Sequence, residues 1–246
     1  MSFPHVINGR WGFEKDTSTT KQHKLGTLMQ IEESFFRYVS AGEAITVGQL
    51  MESSAIDANH NDDLAVATTA SGSSSVAVTV GGTNAITVNE YADGYLYVNS
   101  ATTSGGYKYK IKSHLAGAAS SAITFNLEDY GGTSETLTNG TDTVGLIRSP
   151  YGLVLQSNTT PVGAPVGVTC NDIASASYGW LQVRGPSVCL IQGTPGIGFG
   201  LMRSDGTAGA LEVVAEASAT LYGTLGHMGC TAGVDGEYHE VNLNIS

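Results

Sequence analysis

The sequence predicts an all-β protein: antiparallel sandwich or barrel modules with an extended N-terminal arm and little helix. Three observations carry that expectation. Several segments alternate apolar and polar residues with a period of two, the mark of a half-buried strand. Glycine, 32 of 246 residues, gathers with Asn and Asp between those segments, where turns with positive φ require it. Apolar residues at helical spacing are few.

Residues 1–24 begin the chain with little periodicity. They carry Phe3, Trp11 and Phe13, the bases Arg10, Lys15, Lys21 and Lys24, and the acids Glu14 and Asp16, a balance of +2. The segment reads as an extended arm. It is either a strap across its own domain or an arm that grips a neighbouring subunit. Under the second reading Phe3, Arg10, Trp11, Phe13 and Lys15 are the contact residues, because aromatic and arginine anchors dominate interfaces and a cationic arm suits an acidic partner.

The next segment offers a conflict. Leu28, Ile31, Phe35 and Tyr38 fall at helical spacing, with Thr27 and Gln30 placed for a capping box. Phe35, Phe36, Tyr38 and Val39 favour strand by residue type, so two strands, 25–31 and 35–39, are expected. Further along, Tyr95-Leu96-Tyr97-Val98 and Tyr107-Lys108-Tyr109-Lys110-Ile111-Lys112 form a hairpin joined by a Ser/Thr/Gly loop. Ile123, Phe125 and Leu127 face one way, as do Leu181 with Val183, and Val241, Leu243 and Ile245. Residues 209–217 hold a weak helix pattern that Val213 and Val214 turn towards strand. Asp93-Gly94, Asn139-Gly140, Asp205-Gly206 and Asp235-Gly236 punctuate these runs. The tetrapeptide Ala-Ile-Thr-Val or its variant recurs at Ala44, Ala85 and Ala122. No blade signature accompanies it, so it reads as coincidence, not a propeller repeat.

Composition shifts set the expected domains. Residues 1–24 are the arm. Residues 25–52 plus 178–246 form a β-barrel-like module, 53–160 a central β-sandwich-like module, and 161–177 a linker rich in proline and small residues.

Charge narrows the function classes. The formal charge is -11, and only 13% of residues are charged. Excess acid repels phosphates, so nucleic acid is not an expected partner. No apolar run reaches the ~20 residues of a membrane span, so no membrane is expected either. The start Met1-Ser2-Phe3-Pro4-His5 lacks a signal pattern, which points to the cytoplasm of the producing cell. Three widely spaced cysteines, Cys170, Cys189 and Cys230, read as reduced.

Chemistry-bearing patterns are scarce. Residues 196–200, Gly-Ile-Gly-Phe-Gly, lack the third glycine and the βαβ setting of a dinucleotide loop. His227 and Cys230 lie three apart, but one such pair cannot hold zinc alone. His60 sits in the acidic run 57–63, read as a solvated loop with a calcium site as the sharper alternative. Asp142 and Glu135 could only serve a glycosidase if paired across a cleft. The expectation is no enzyme, no metal and no cofactor.

Four stretches carry a resemblance. They are Tyr178 to Pro186 continuing into Val188-Cys189-Leu190-Ile191, the Tyr95 and Tyr107 strands, Ala41 to Met51, and Asp235-Gly236-Glu237-Tyr238 running into Val241. Together they resemble structural proteins of tailed bacteriophages, especially marine ones, loosely over residues 41–246. The resemblance implies a virion component of the capsid decoration (cement) type, a homotrimer on the outer capsid surface that bridges adjacent major capsid subunits. It would be made in the host bacterial cytoplasm. Two other virion roles remain open. One is a head-fibre or tail-surface protein binding host glycan, with Tyr91, Tyr95 and Tyr130 as candidate platforms. The other is a head–tail connector component.

Overall fold

The computed structural model describes residues 6–214, 223–231 and 233–245. It is nearly all β, and the described chain falls into two compact units. One unit is Ile56–Ser149; the other gathers the segments before and after it.

The outer unit opens with β1 (Val6–Asn8), β2 (Leu28–Ile31), β3 (Ser34–Ser40) and β4 (Leu50–Glu52). The inner unit supplies β5 (Leu64–Val66), β6 (Ser75–Thr79), β7 (Tyr95–Val98), β8 (Lys108–His114), β9 (Ala122–Leu127) and β10 (Thr143–Ile147). The chain then returns to the outer unit through β11 (Leu155–Gln156), β12 (Pro165–Thr169) and β13 (Tyr178–Leu190). It ends with β14 (Gly200–Arg203), β15 (Leu211–Val213), β16 (Gly226–Met228) and β17 (Tyr238–Asn244). The inner unit is thus an insertion between β4 and β11, two strands that pair antiparallel with Met51 opposite Gln156.

The inner unit is a closed antiparallel barrel, ordered β10-β5-β6-β9-β8-β7 with β7 pairing back to β10. Period-two patterning builds it. Leu96, Val98, Tyr109, Ile111, Ile123, Phe125, Leu127, Val144 and Leu146 point inward and are buried. Each such aliphatic side chain contributes roughly 1.5–3 kcal/mol on burial. The Thr and Asn residues between Ile123 and Leu127 stay exposed. Closure leaves no free sheet edge. Alternating strand directions put the loops 67–74, 99–107 and 128–142 at one end. Both chain termini of the unit lie at the other.

The outer unit is a mixed sheet centred on the 13-residue β13. Its main order is β1-β2-β3-β13-β17-β16-β14-β15, with β12, β4 and β11 branching from β13. The first half of β13 pairs with β3 and the second with β17. Register with β3 slips between Gln182 and Arg184. The buried Gln182 amide fills that bulge, donating to the Pro186 carbonyl at 2.7 Å and the Arg184 carbonyl at 3.2 Å. At the far edge Ile191 bridges Leu211 of β15 in parallel, curling that branch back towards the end of β13. A buried ion pair, Arg203 Nη1 to Glu52 Oε2 at 3.2 Å, lies within this unit.

Several expectations change. The closed barrel belongs to the central module expected as sandwich-like, and the module expected as barrel-like is the mixed sheet. Residues 161–177 are not a linker, because Pro165–Thr169 form β12, paired to both β13 and β4. Small residues there serve close strand packing: a Cβ on Gly167 would lie 2.7 Å from Leu181 Cβ. The helix pattern after Leu28 is overridden, and β2 and β3 form a hairpin with Glu32 at φ 52. Of the weak helix candidate, residues 211–213 are strand and 215–217 lie outside the described residues. Of the three copies of the recurring tetrapeptide, the one at Ala44 lies in the outer unit and those at Ala85 and Ala122 both lie in the barrel unit, so they do not mark one blade each. Among the described residues no helix is long and apolar enough to cross a membrane.

Candidate functional site

The arm folds onto its own unit. β1 runs parallel to β2 at the edge of the sheet, and the Gly9 N–H donates to the Gln30 carbonyl at 2.8 Å. The chain then turns at Gly12, whose φ of 107° is strained for any side chain, into a 3-10 turn, Phe13–Lys15. Glu14 is the buried member of that turn, and its Oε2 accepts the Gly12 N–H at 2.6 Å. The Lys15 carbonyl accepts from Asn171 Nδ2 at 2.8 Å. Farther on, Ser18 bridges Tyr178. The Gln22 N–H donates to the Tyr38 hydroxyl at 3.0 Å, and the His23 ring packs edge-on to Tyr38 with centroids 5.0 Å apart.

Of the two readings of residues 1–24, the described part therefore has the geometry of a strap. Its outer surface still carries the expected anchors. Trp11 is 54% exposed and Phe13 38%. The Arg10 guanidinium lies over the Phe13 ring, 4.9 Å from its centroid, and Lys15 is exposed on the same turn. Phe3 lies outside the described residues. Four of the five expected contact residues are thus brought together on one short turn. Below them the buried Glu14 carboxylate holds the backbone fixed.

The barrel end that carries loops 67–74, 99–107 and 128–142 is the second surface. Its loops are tied to one another through hydroxyls and backbone. Thr69 bridges Leu137, and Ser71 Oγ donates to the Ser134 carbonyl at 3.0 Å. Asp142, buried, accepts from Thr102 Oγ1 at 2.5 Å, Ser104 Oγ at 2.6 Å, Ser100 Oγ at 3.0 Å and the Thr138 N–H at 2.7 Å. Burial raises its pKa, but these donors outweigh burial and hold the carboxyl at about 2. Asp142 is a loop fastener, and Glu135 is exposed; no hydrogen bond joins Asp142 to it. Tyr130 stands fully exposed on this rim. The turn beneath it is fixed by Gly132, where a Cβ would come within 2.4 Å of the Ser73 carbonyl oxygen.

The other two tyrosines named as glycan platforms fall elsewhere. Tyr91 is buried in the barrel core. Tyr95 is half-buried on the outer face of β7, flanked by Lys108 and Lys110 Nζ at 4.4 and 4.3 Å from its ring centroid. His60 is also buried, contrary to the solvated-loop reading. Its Nδ1 accepts the Tyr91 hydroxyl at 2.9 Å and its Nε2 donates to the Asn84 carbonyl at 3.2 Å. Asp57 is drawn into hydrogen bonds with the Asn59 N–H and Asn84 Nδ2. Among the described residues no group of three or more His, Cys, Asp or Glu is placed to hold a metal ion.

Sequence spacing missed one contact. Cys230 meets His239 of β17, not His227, with Sγ 3.7 Å from Nδ1. The alternation of Val241, Leu243 and Ile245, carried back one step, puts His239 on the same inward face, and that was the available signal. The chain matches no family model, no curated protein and no solved structure.

Proposed function

We propose that this chain is a non-enzymatic structural protein that docks on the outer surface of a tailed-phage capsid and cements adjacent major capsid subunits. The observation that carries the reading is the exposed Arg10–Trp11–Phe13 cluster on a pinned turn. Large aromatic and arginine side chains are the usual energetic centres of protein interfaces. Holding them on a fixed backbone lowers the ordering cost of binding. The acidic body fits a face turned away from packaged DNA. Each contact adds binding free energy only in the assembled shell, so occupancy shifts the shell towards its intact state. Repetition over a symmetric surface makes modest single-site affinity sufficient. The proposed partners are the major capsid protein and further copies of this chain, as a homotrimer.

The double substitution Trp11→Ala with Phe13→Ala tests the reading. The variant is expected to fold normally and to lose most of its occupancy on purified particles, measured by gel densitometry after sedimentation. Unchanged occupancy would overturn the anchor assignment. The glycan-binding alternative draws on one specific observation, Tyr130 projecting from a rigid hydroxyl-rich rim. A glycan-array signal abolished by Tyr130→Ala would favour it.

A further inference from the structure

Cys230, His239 and Glu237 lie close together in the outer unit. Cys230 follows β16 and is half-buried against the core that holds Met228 and Val241. His239 Nε2 accepts the Val234 N–H at 2.9 Å. A backbone N–H can only donate, so a neutral His239 carries its proton on Nδ1, the nitrogen that faces the sulfur at 3.7 Å. Glu237 Oε2 stands 3.8 Å from Nε2. Glu240, next on β17, packs over Gly229, and Cys189 is the cross-strand partner of His239. A thiolate is favoured by a nearby donor or cation and disfavoured by apolar burial. Burial pushes the Cys170 and Cys189 thiols each up to about 12.

We propose that Cys230 is the exchange-competent thiol of this chain, forming mixed disulfides with small disulfides of the glutathione type, and that His239 is the positioning residue that donates to its thiolate. Cys230 first gives its proton to solvent. The thiolate then attacks one sulfur of the small disulfide, a new S–S bond forms, and the old one breaks. The departing half leaves as a thiolate carrying the electron pair and takes a proton from water. Cys230 is oxidised and half of the reagent is reduced. This chemistry is independent of capsid docking.

The folded full-length chain treated with glutathione disulfide tests the proposal, with adducts located by mass spectrometry of a digest. One adduct is expected, on Cys230, abolished by Cys230→Ser and kept in Cys170→Ser. His239→Gln is expected to slow the reaction several-fold at neutral pH and to move the pH–rate midpoint upward, because the thiolate loses its donor. First labelling at Cys170 or Cys189 would overturn the assignment of the thiol. An unchanged rate and midpoint in His239→Gln, with circular dichroism showing the fold intact, would overturn the role of the histidine. If that variant is misfolded, site mapping on the unsubstituted chain still decides the thiol.

Discussion

His114 and Asp142 fasten opposite ends of the barrel, and each makes a pH-dependent prediction of its own. His114 Nε2 accepts the buried Tyr91 N–H at 2.9 Å, while Nδ1 donates to the Leu115 carbonyl at 2.9 Å. Burial pushes its pKa below the ordinary value, against the Leu115 hydrogen bond and the nearby Glu90 carboxylate. Protonation would put a second N–H against the Tyr91 donor. The unfolded chain therefore binds the proton more readily. Barrel stability is expected to be level above the unfolded value near 6.5 and to fall as pH drops through the window below it. Denaturant midpoints across that range check the sign, and a midpoint that rises on acidification would contradict it. Asp142 acts at lower pH: its contribution is full above the ordinary carboxylate range and is lost as pH falls through about 2. Asp142→Ala leaves the Ser100, Thr102, Ser104 and Thr138 donors without their common acceptor and is expected to cost about 2–3 kcal/mol. Hydrogen exchange should then show residues 99–104 opening first.

At the scale of elements, the strap couples sequence to packing most directly. Residues 18–23 cover Tyr38, Tyr178 and Trp180 of β3 and β13 through the Ser18 bridge, the Gln22 hydrogen bond and the His23 ring. Deleting residues 1–24 is expected to lower the melting temperature of the outer unit and to change the near-ultraviolet circular dichroism of those rings. An unaltered melting curve would mean that the strap contributes nothing to its own sheet. Much of this level was legible in the sequence. The strict alternation of β8, β9 and β17 announced strands, and Arg10, Trp11 and Phe13 stood out by residue type as contact candidates, which the structure leaves exposed. What was not legible depended on long-range pairing. Nothing local in Pro165–Thr169 says that it joins β13 to β4. Tyr91 and His60 sit among polar neighbours in sequence, and only the closed barrel makes them core. The Cys230–His239 contact needs β16 and β17 to pair before the two side chains meet.

For the whole molecule, a sheet in two chain segments carries an inserted barrel whose termini lie at one end. Nested insertion of this kind requires only that the inserted unit's ends be close, and antiparallel closure with an even number of strands provides that. The acid excess is uneven: residues 1–24 carry +2 and the remainder -13. The cationic segment is the one that exposes Trp11 and Phe13, which joins charge and geometry in a single proposed contact surface. The central claim is that this surface fixes many copies of the chain to a capsid. Cryo-electron microscopy of the particle that carries this chain tests it most directly. The account predicts density repeated over the whole outer shell, with Arg10, Trp11 and Phe13 at the contact with major capsid subunits. A few copies confined to one vertex or to the tail, or a shell contact made without that turn, would contradict it.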